Sequence, residues 1–138
     1  MRELIPSGSL RGMLLPPTYG SHVTDSTEFT VLSVEIWDTG LVVNIQMASE
    51  GGPQPNIILQ DHFGTQYRLK NSAILGSRNL QVFTPSVPPG TRSLTVRSAD
   101  DTDRPVVTFA VPLMAVKDEP DVAAARRFPP EPELRRPA

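Results

Sequence analysis

Apolar and polar residues alternate in short runs between Phe29 and Leu113, and no stretch of useful length repeats them at the helical period. The period of two predicts strands at 28–37, 41–48, 56–60, 66–70, 80–84, 91–98 and 106–113. In the first, Leu32, Val34 and Ile36 share one face, while Phe29, Val31 and Trp37 share the other. A strand apolar on both faces is central or covered, and the leading arm is the candidate cover. Asp38-Thr39-Gly40 supplies a tight turn, with Gly40 available for positive φ. The next strand then turns Leu41, Val43, Ile45 and Met47 inward. Residues 49–55 form a loop, because Gly51-Gly52-Pro53 cannot continue a central strand.

Asp61-His62-Phe63-Gly64 reads as the turn of a second hairpin joining 56–60 to 66–70, with Tyr67 and Leu69 facing the core. Residues 71–78 read as a loop or a short irregular crossing. A proline-rich corner at 85–90 precedes a strand that points Leu94 and Val96 inward. An acidic turn at 99–104 leads to the last strand, which alternates through Val107, Phe109, Val111 and Leu113. About seven strands with connections too short for helical crossovers predict an all-β, immunoglobulin-like antiparallel β-sandwich.

The ends differ from this middle. In residues 1–22, Pro6-Ser7-Gly8-Ser9 and Pro16-Pro17 break any helix, yet Leu4, Ile5, Leu10, Met13, Leu14, Leu15 and Tyr19 are too apolar for a solvated tag. Two roles fit this extended N-terminal arm: packing along the sandwich as an edge strand, or strand addition to a neighbouring subunit. Residues 23–114 form the sandwich. Residues 115–138 hold Pro120, Pro129, Pro130, Pro132 and Pro137 among mixed charges, which predicts a flexible, disordered C-terminal tail.

Three pieces carry a family likeness. They are Trp37-Asp38-Thr39-Gly40-Leu41-Val42-Val43, Leu59-Gln60-Asp61-His62-Phe63-Gly64-Thr65-Gln66-Tyr67, and Phe83-Thr84-Pro85-Ser86-Val87-Pro88-Pro89-Gly90 leading to Leu94-Thr95-Val96. Together they resemble the immunoglobulin-like domains of uncharacterised, chiefly actinobacterial, bacterial proteins. The resemblance spans about residues 26–114. It implies the sandwich fold and no assigned activity. The antibody-type cysteine pair is absent.

Composition narrows the function. A length of 138 residues suits one domain. The net charge of −2 offers no basic field to collect phosphates, which argues against nucleic acid. With no cysteine, there is no disulfide, thiolate nucleophile or cysteine-bound zinc, and a reducing cytoplasm is expected. The longest apolar run of the arm, Met13-Leu14-Leu15, falls short of a signal peptide or a membrane span. A soluble cytoplasmic chain without membrane contact is the expectation.

Candidate chemistry is sparse. His62 lies in a turn beside Asp61, and His22 stands alone. No G-x-S-x-G elbow and no phosphate-binding glycine loop occurs. The reading is therefore a non-enzyme without cofactors. Asp100, Asp101 and Asp103 form a weak candidate calcium loop. Leu14, Leu15, Tyr19, Trp37 and Phe63 are the candidate partner contacts, since exposed aromatics and apolar arms favour protein interfaces. The sequence points to a non-catalytic interaction or assembly module that binds a protein partner or itself through strand edges, turns and the arm. The alternatives are a small-ligand or carbohydrate-binding sandwich, weakened by 6% aromatic content, and a virion or particle decoration protein.

Overall fold

A computed structural model describes residues 6, 8–24, 27–100 and 105–112. The expected tail at 115–138, the end of the last strand at Leu113, and Asp101 and Asp103 lie outside the described residues. Among the described residues there are nine strands and no helix. They are β1 (Leu10–Leu14), β2 (His22–Thr24), β3 (Thr27–Trp37), β4 (Leu41–Met47), β5 (Ile57–Asp61), β6 (Arg68–Leu75), β7 (Arg78–Thr84), β8 (Ser93–Ser98) and β9 (Pro105–Ala110). All pairings are antiparallel.

The strands form two sheets packed face to face. The larger runs β1-β3-β4-β7-β6, with β2 also on β3; the smaller runs β5-β8-β9. Between them lies one apolar core. Phe29, Val34, Ile36, Leu41, Val43 and Ile45 line it from the large sheet, and Leu59, Leu94, Val96 and Phe109 from the small one. The inward residues expected on β4 and β8 are the ones found there. Each follows from a strict period of two between a tight turn and a loop.

Strand β3 departs from its expected faces. Phe29 and Val31 are buried, but so are Val34 and Ile36. The register against β4 shifts between Val31 and Ser33, so one extra residue is inserted at that point. The insertion changes the parity of everything after it. Val34 and Ile36 therefore join Phe29 and Val31 in the core, while Glu35 and Trp37 turn to the outer face. Trp37 is half-buried there, with its indole N–H donating to Glu35 Oε1 at 3.1 Å.

Two turn assignments are corrected. Residues 56–60 and 66–70 do not form a hairpin: β5 pairs with β8 in the small sheet, and β6 pairs with β7 in the large one. Residues 62–67 are a corner between sheets. The loop that leads from β4 into β5 is held by an amide chain. Gln81 Nε2 donates to the Pro55 carbonyl at 2.9 Å and to Asn79 Oδ1 at 2.8 Å. Asn79 Nδ2 in turn donates to Gln54 Oε1 at 3.1 Å and to the Ala73 carbonyl at 3.0 Å. These buried amides dock the loop before β5 onto the inner face of β7. Residues 71–78, expected as a loop or a short irregular crossing, are the second half of β6, a turn at Gly76-Ser77 and the start of β7. Gly76 adopts φ +66°, which only a glycine reaches without strain.

Gly40 is needed for a different reason than expected. It does not take positive φ. A Cβ built on it would sit 2.6 Å from the Phe83 carbonyl oxygen, because the β3–β4 turn lies against the end of β7.

The arm is part of the sheet. β1 and β2 run in succession along one side of β3, Leu10 opposite Trp37 and His22 opposite Phe29. Asp38 ties the start of the arm: its Oδ2 accepts from the Ser9 amide at 2.8 Å, and its own amide donates to the Ser9 carbonyl at 3.1 Å. Leu14 reaches the core with 3% exposure. The division at residue 22 thus falls inside β2.

Two outcomes test this packing. Gly40→Ala should cost about 1–3 kcal/mol in urea unfolding through overpacking, whereas Gly52→Ala, with open space around it, should be near neutral. Leu14→Ala should cost about 2–5 kcal/mol, while Leu15→Ala, on an exposed side chain, should fall within about 0.5 kcal/mol of wild type. An inert Leu14→Ala would detach the arm from the core.

Candidate interaction surfaces

The corner between β5 and β6 is organised by one carboxylate. Asp61 Oδ1 accepts from the backbone amides of Phe63 at 2.8 Å and Thr65 at 3.1 Å, and Oδ2 accepts from the Tyr67 hydroxyl at 2.6 Å. Aspartate suits this position because its short side chain reaches the amides of the next residues. Burial alone would push its carboxyl up. The hydrogen bonds from the Thr65 and Tyr67 side chains and from the Thr65 and Phe63 amides outweigh that and hold it at about 2. Burial, reinforced by the Asp61 charge, pushes the Tyr67 phenol upward. The corner therefore presents Phe63 at its tip, 54% exposed, with the His62 ring against it at a centroid distance of 4.1 Å.

Behind the corner an open groove of about 430 Å³ separates β5 from the inner face of β6 and β7. Ile57, Tyr67, Leu69 and Phe83 give it apolar walls, and Gln54 and Gln81 line it with amides. The groove exists because the large sheet is wider than the small one. Among the described residues nothing in the small sheet lies beyond β5. Leu69 and Ile74 pair with the inward-facing Phe83 and Asn79, so they point to the core side of β6, yet stand 47% and 43% exposed.

The opposite lateral edge belongs to β1 and β2. Leu10, Met13 and Val23 pair with Trp37, Glu35 and Glu28, all on the outer face of β3. They are 48%, 52% and 64% exposed, and Leu15 and Tyr19, between the two strands, are similarly open. Every large apolar side chain that stands exposed among the described residues lies either on this edge or along the corner and β6.

The sequence-derived contact residues divide accordingly. Leu15, Tyr19 and Phe63 are exposed. Trp37 is half-buried on the outer face beside Leu10. Leu14 is corrected: it is a core residue and unavailable to a partner. Leu10, Met13 and Val23 were missed because the edge strand expected of the arm carried no residue bounds or faces. Ile74 and Leu75 were missed with the β6–β7 hairpin, although the Gly76-Ser77 dipeptide is a two-residue hairpin signal.

Asp100 is exposed, and its amide donates to Ser98 Oγ at 3.2 Å; its two acidic neighbours lie outside the described residues. Among the described residues no group of three or more histidine, aspartate or glutamate side chains is close enough to hold a metal ion. His22 packs on the Phe29 ring at 6.1 Å, and burial lowers its pKa. No helix among the described residues is long and apolar enough to cross a membrane.

Comparison with family models, curated proteins and solved structures found no match.

The Asp61 carboxylate yields a pH prediction. Its folded pKa lies below the ordinary value, so its stabilisation is full above pH 4 and lost as pH falls toward 2. The melting temperature should fall across that window in wild type and fall less steeply in Asp61→Asn. Equal slopes would show that the carboxylate does not hold the corner.

Proposed function

We propose that this chain is a non-catalytic interaction or assembly module, built on an immunoglobulin-like sandwich, that binds protein through the lateral edges of its large sheet. The observation that carries this reading is the segregation of exposed apolar side chains. Leu10, Met13, Leu15, Tyr19 and Val23 mark one edge, and Leu69, Ile74 and Leu75 the other. Scattered apolar residues are ordinary on a protein surface, but strips along unpaired strands are where another chain adds most readily. Both edges lie at the ends of the strand order of the large sheet among the described residues, where an incoming strand would gain hydrogen bonds as well as apolar contact.

Light scattering over a concentration series tests this. The mean mass of the full chain should rise with concentration. A variant carrying Leu10→Ser, Met13→Ser, Val23→Thr and Ile74→Thr should remain at the 15.1 kDa monomer with a folded melting transition. A full chain that stays monomeric throughout, or identical masses for both proteins, would overturn the edge reading.

A further inference from the structure

The groove between β5 and β6 suits a guest of defined chemistry. None of the side chains that line it is charged. Ile57 and Phe83 form its floor at 5% and 3% exposure, and Leu69 stands open at its side. The Tyr67 ring is held in the wall by its hydroxyl, which donates to Asp61. The Gln81 amide is already engaged, donating to the Pro55 carbonyl and to Asn79. Gln54 differs: its Oε1 accepts from Asn79, and its own N–H groups have no acceptor among the described residues. The groove thus offers aliphatic and aromatic surface with a hydrogen-bond donor and no charge. A proline-rich extended chain matches that, because it presents rings and free carbonyls and few N–H groups.

We propose that the stretch Phe128-Pro129-Pro130-Glu131-Pro132 docks in this groove of its own molecule as an extended polyproline II segment. This goes beyond the edge reading and does not depend on it. Reach permits the contact. Leu94 pairs with Asp61 on one side and Phe109 on the other, so the chain leaves β9 at the end of the sandwich that carries the Asp61 corner. The groove lies beyond β5, three strand spacings from β9, or about 14 Å. Residues 113–127 can span up to about 50 Å. The sequence beyond Pro112 then selects one stretch. Its uncharged runs of three or more residues are 113–116, 122–125 and 128–130. The first is spent on the crossing, since four residues cover no more than about 14 Å. The second holds Val122 and three alanines, which fill little space. The third holds Phe128, the only aromatic residue after Phe109, and leads into three further prolines within four positions, 129–132. Proline fixes φ near the polyproline value, so docking costs less chain entropy. At about 3.1 Å per residue, Phe128 to Pro132 covers about 15 Å, close to the length of the five-residue β5. Phe128 is the apolar anchor against Tyr67 and Leu69, and the carbonyls of the stretch accept from Gln54.

The decisive experiment uses the full chain, whose lack of cysteine permits a single label. Glu133→Cys carries a nitroxide just past the docked stretch, and the same chain is enriched in nitrogen-15. It is studied at a concentration where light scattering gives the 15.1 kDa monomer. The backbone amides of Ile57 and Leu69 and the side-chain amides of Gln54 and Gln81 should lose most of their NMR intensity relative to the reduced label. The amides of Met13 and Val23, on the opposite edge, should keep theirs. Adding Phe128→Ser, Pro129→Gly and Pro132→Gly, all outside the strands, should restore the groove signals. A loss that is absent, that is equal on both edges, or that survives these substitutions would overturn the proposal. So would a loss in enriched chains without nitroxide mixed with labelled, unenriched copies, because the guest would then come from another molecule. The readout is made on the monomer, so its failure is distinct from a failure of edge assembly.

Discussion

The inserted residue in the middle of β3 governs the rest of the molecule. β3 is the longest strand, flanked by β4 on one side and by β1 and β2 on the other. With an unbroken period of two, burying Phe29 and Val31 would expose Val34 and Ile36. The bulge between Val31 and Ser33 resets the parity, and all four reach one core. It also turns Glu35 and Trp37 outward, which fixes the outer face against which Met13 and Leu10 lie. One added residue thus joins the arm, the core and the exposed edge in a single arrangement.

The second constraint is unequal width. Among the described residues five strands across in the large sheet face three in the small one. A sheet buries apolar residues only where another layer covers them, so the strand beyond that cover keeps its inward residues in contact with water. β6 is that strand. Its exposed Leu69 and Ile74 and the groove beside β5 share one cause. The buried amides of Gln81 and Asn79 belong to the same region: they donate to the Pro55 carbonyl and the Gln54 side-chain oxygen of the chain crossing between sheets, and to the Ala73 carbonyl of β6.

The corner at Asp61 shows how a local motif is recruited by the fold. An aspartate followed by a glycine three residues later suits a hairpin turn and a sheet-to-sheet corner equally well. Here the carboxylate spends both oxygens on the corner itself, on two backbone amides and the Tyr67 hydroxyl. That leaves Phe63 exposed at the tip of the corner, beside His62 and far along the chain from the arm at the β1–β2 edge.

The all-β class, the hairpin at Asp38-Thr39-Gly40, and the inward residues of β4 and β8 were legible because each depends on neighbours within a few residues. Period-two burial and turn chemistry are local. The sheet to which β5 and β6 belong was not legible, because it depends on pairing with β8 and β7 and on the distant amides of Asn79 and Gln81. The faces of Trp37 and Val34 were not legible either, since a bulge leaves the apolar pattern readable in two ways until the partner strand sets the register. The contact residues followed the same division. Among the candidate contact residues, Leu15, Tyr19 and Phe63 stand exposed, but Leu14 was assigned to the surface when its pairing with Val34 places it in the core. Sequence alone determined which segments extend and which side chains seek burial. Only the tertiary structure decided which of them find cover, because cover is supplied by strands that are remote in the chain.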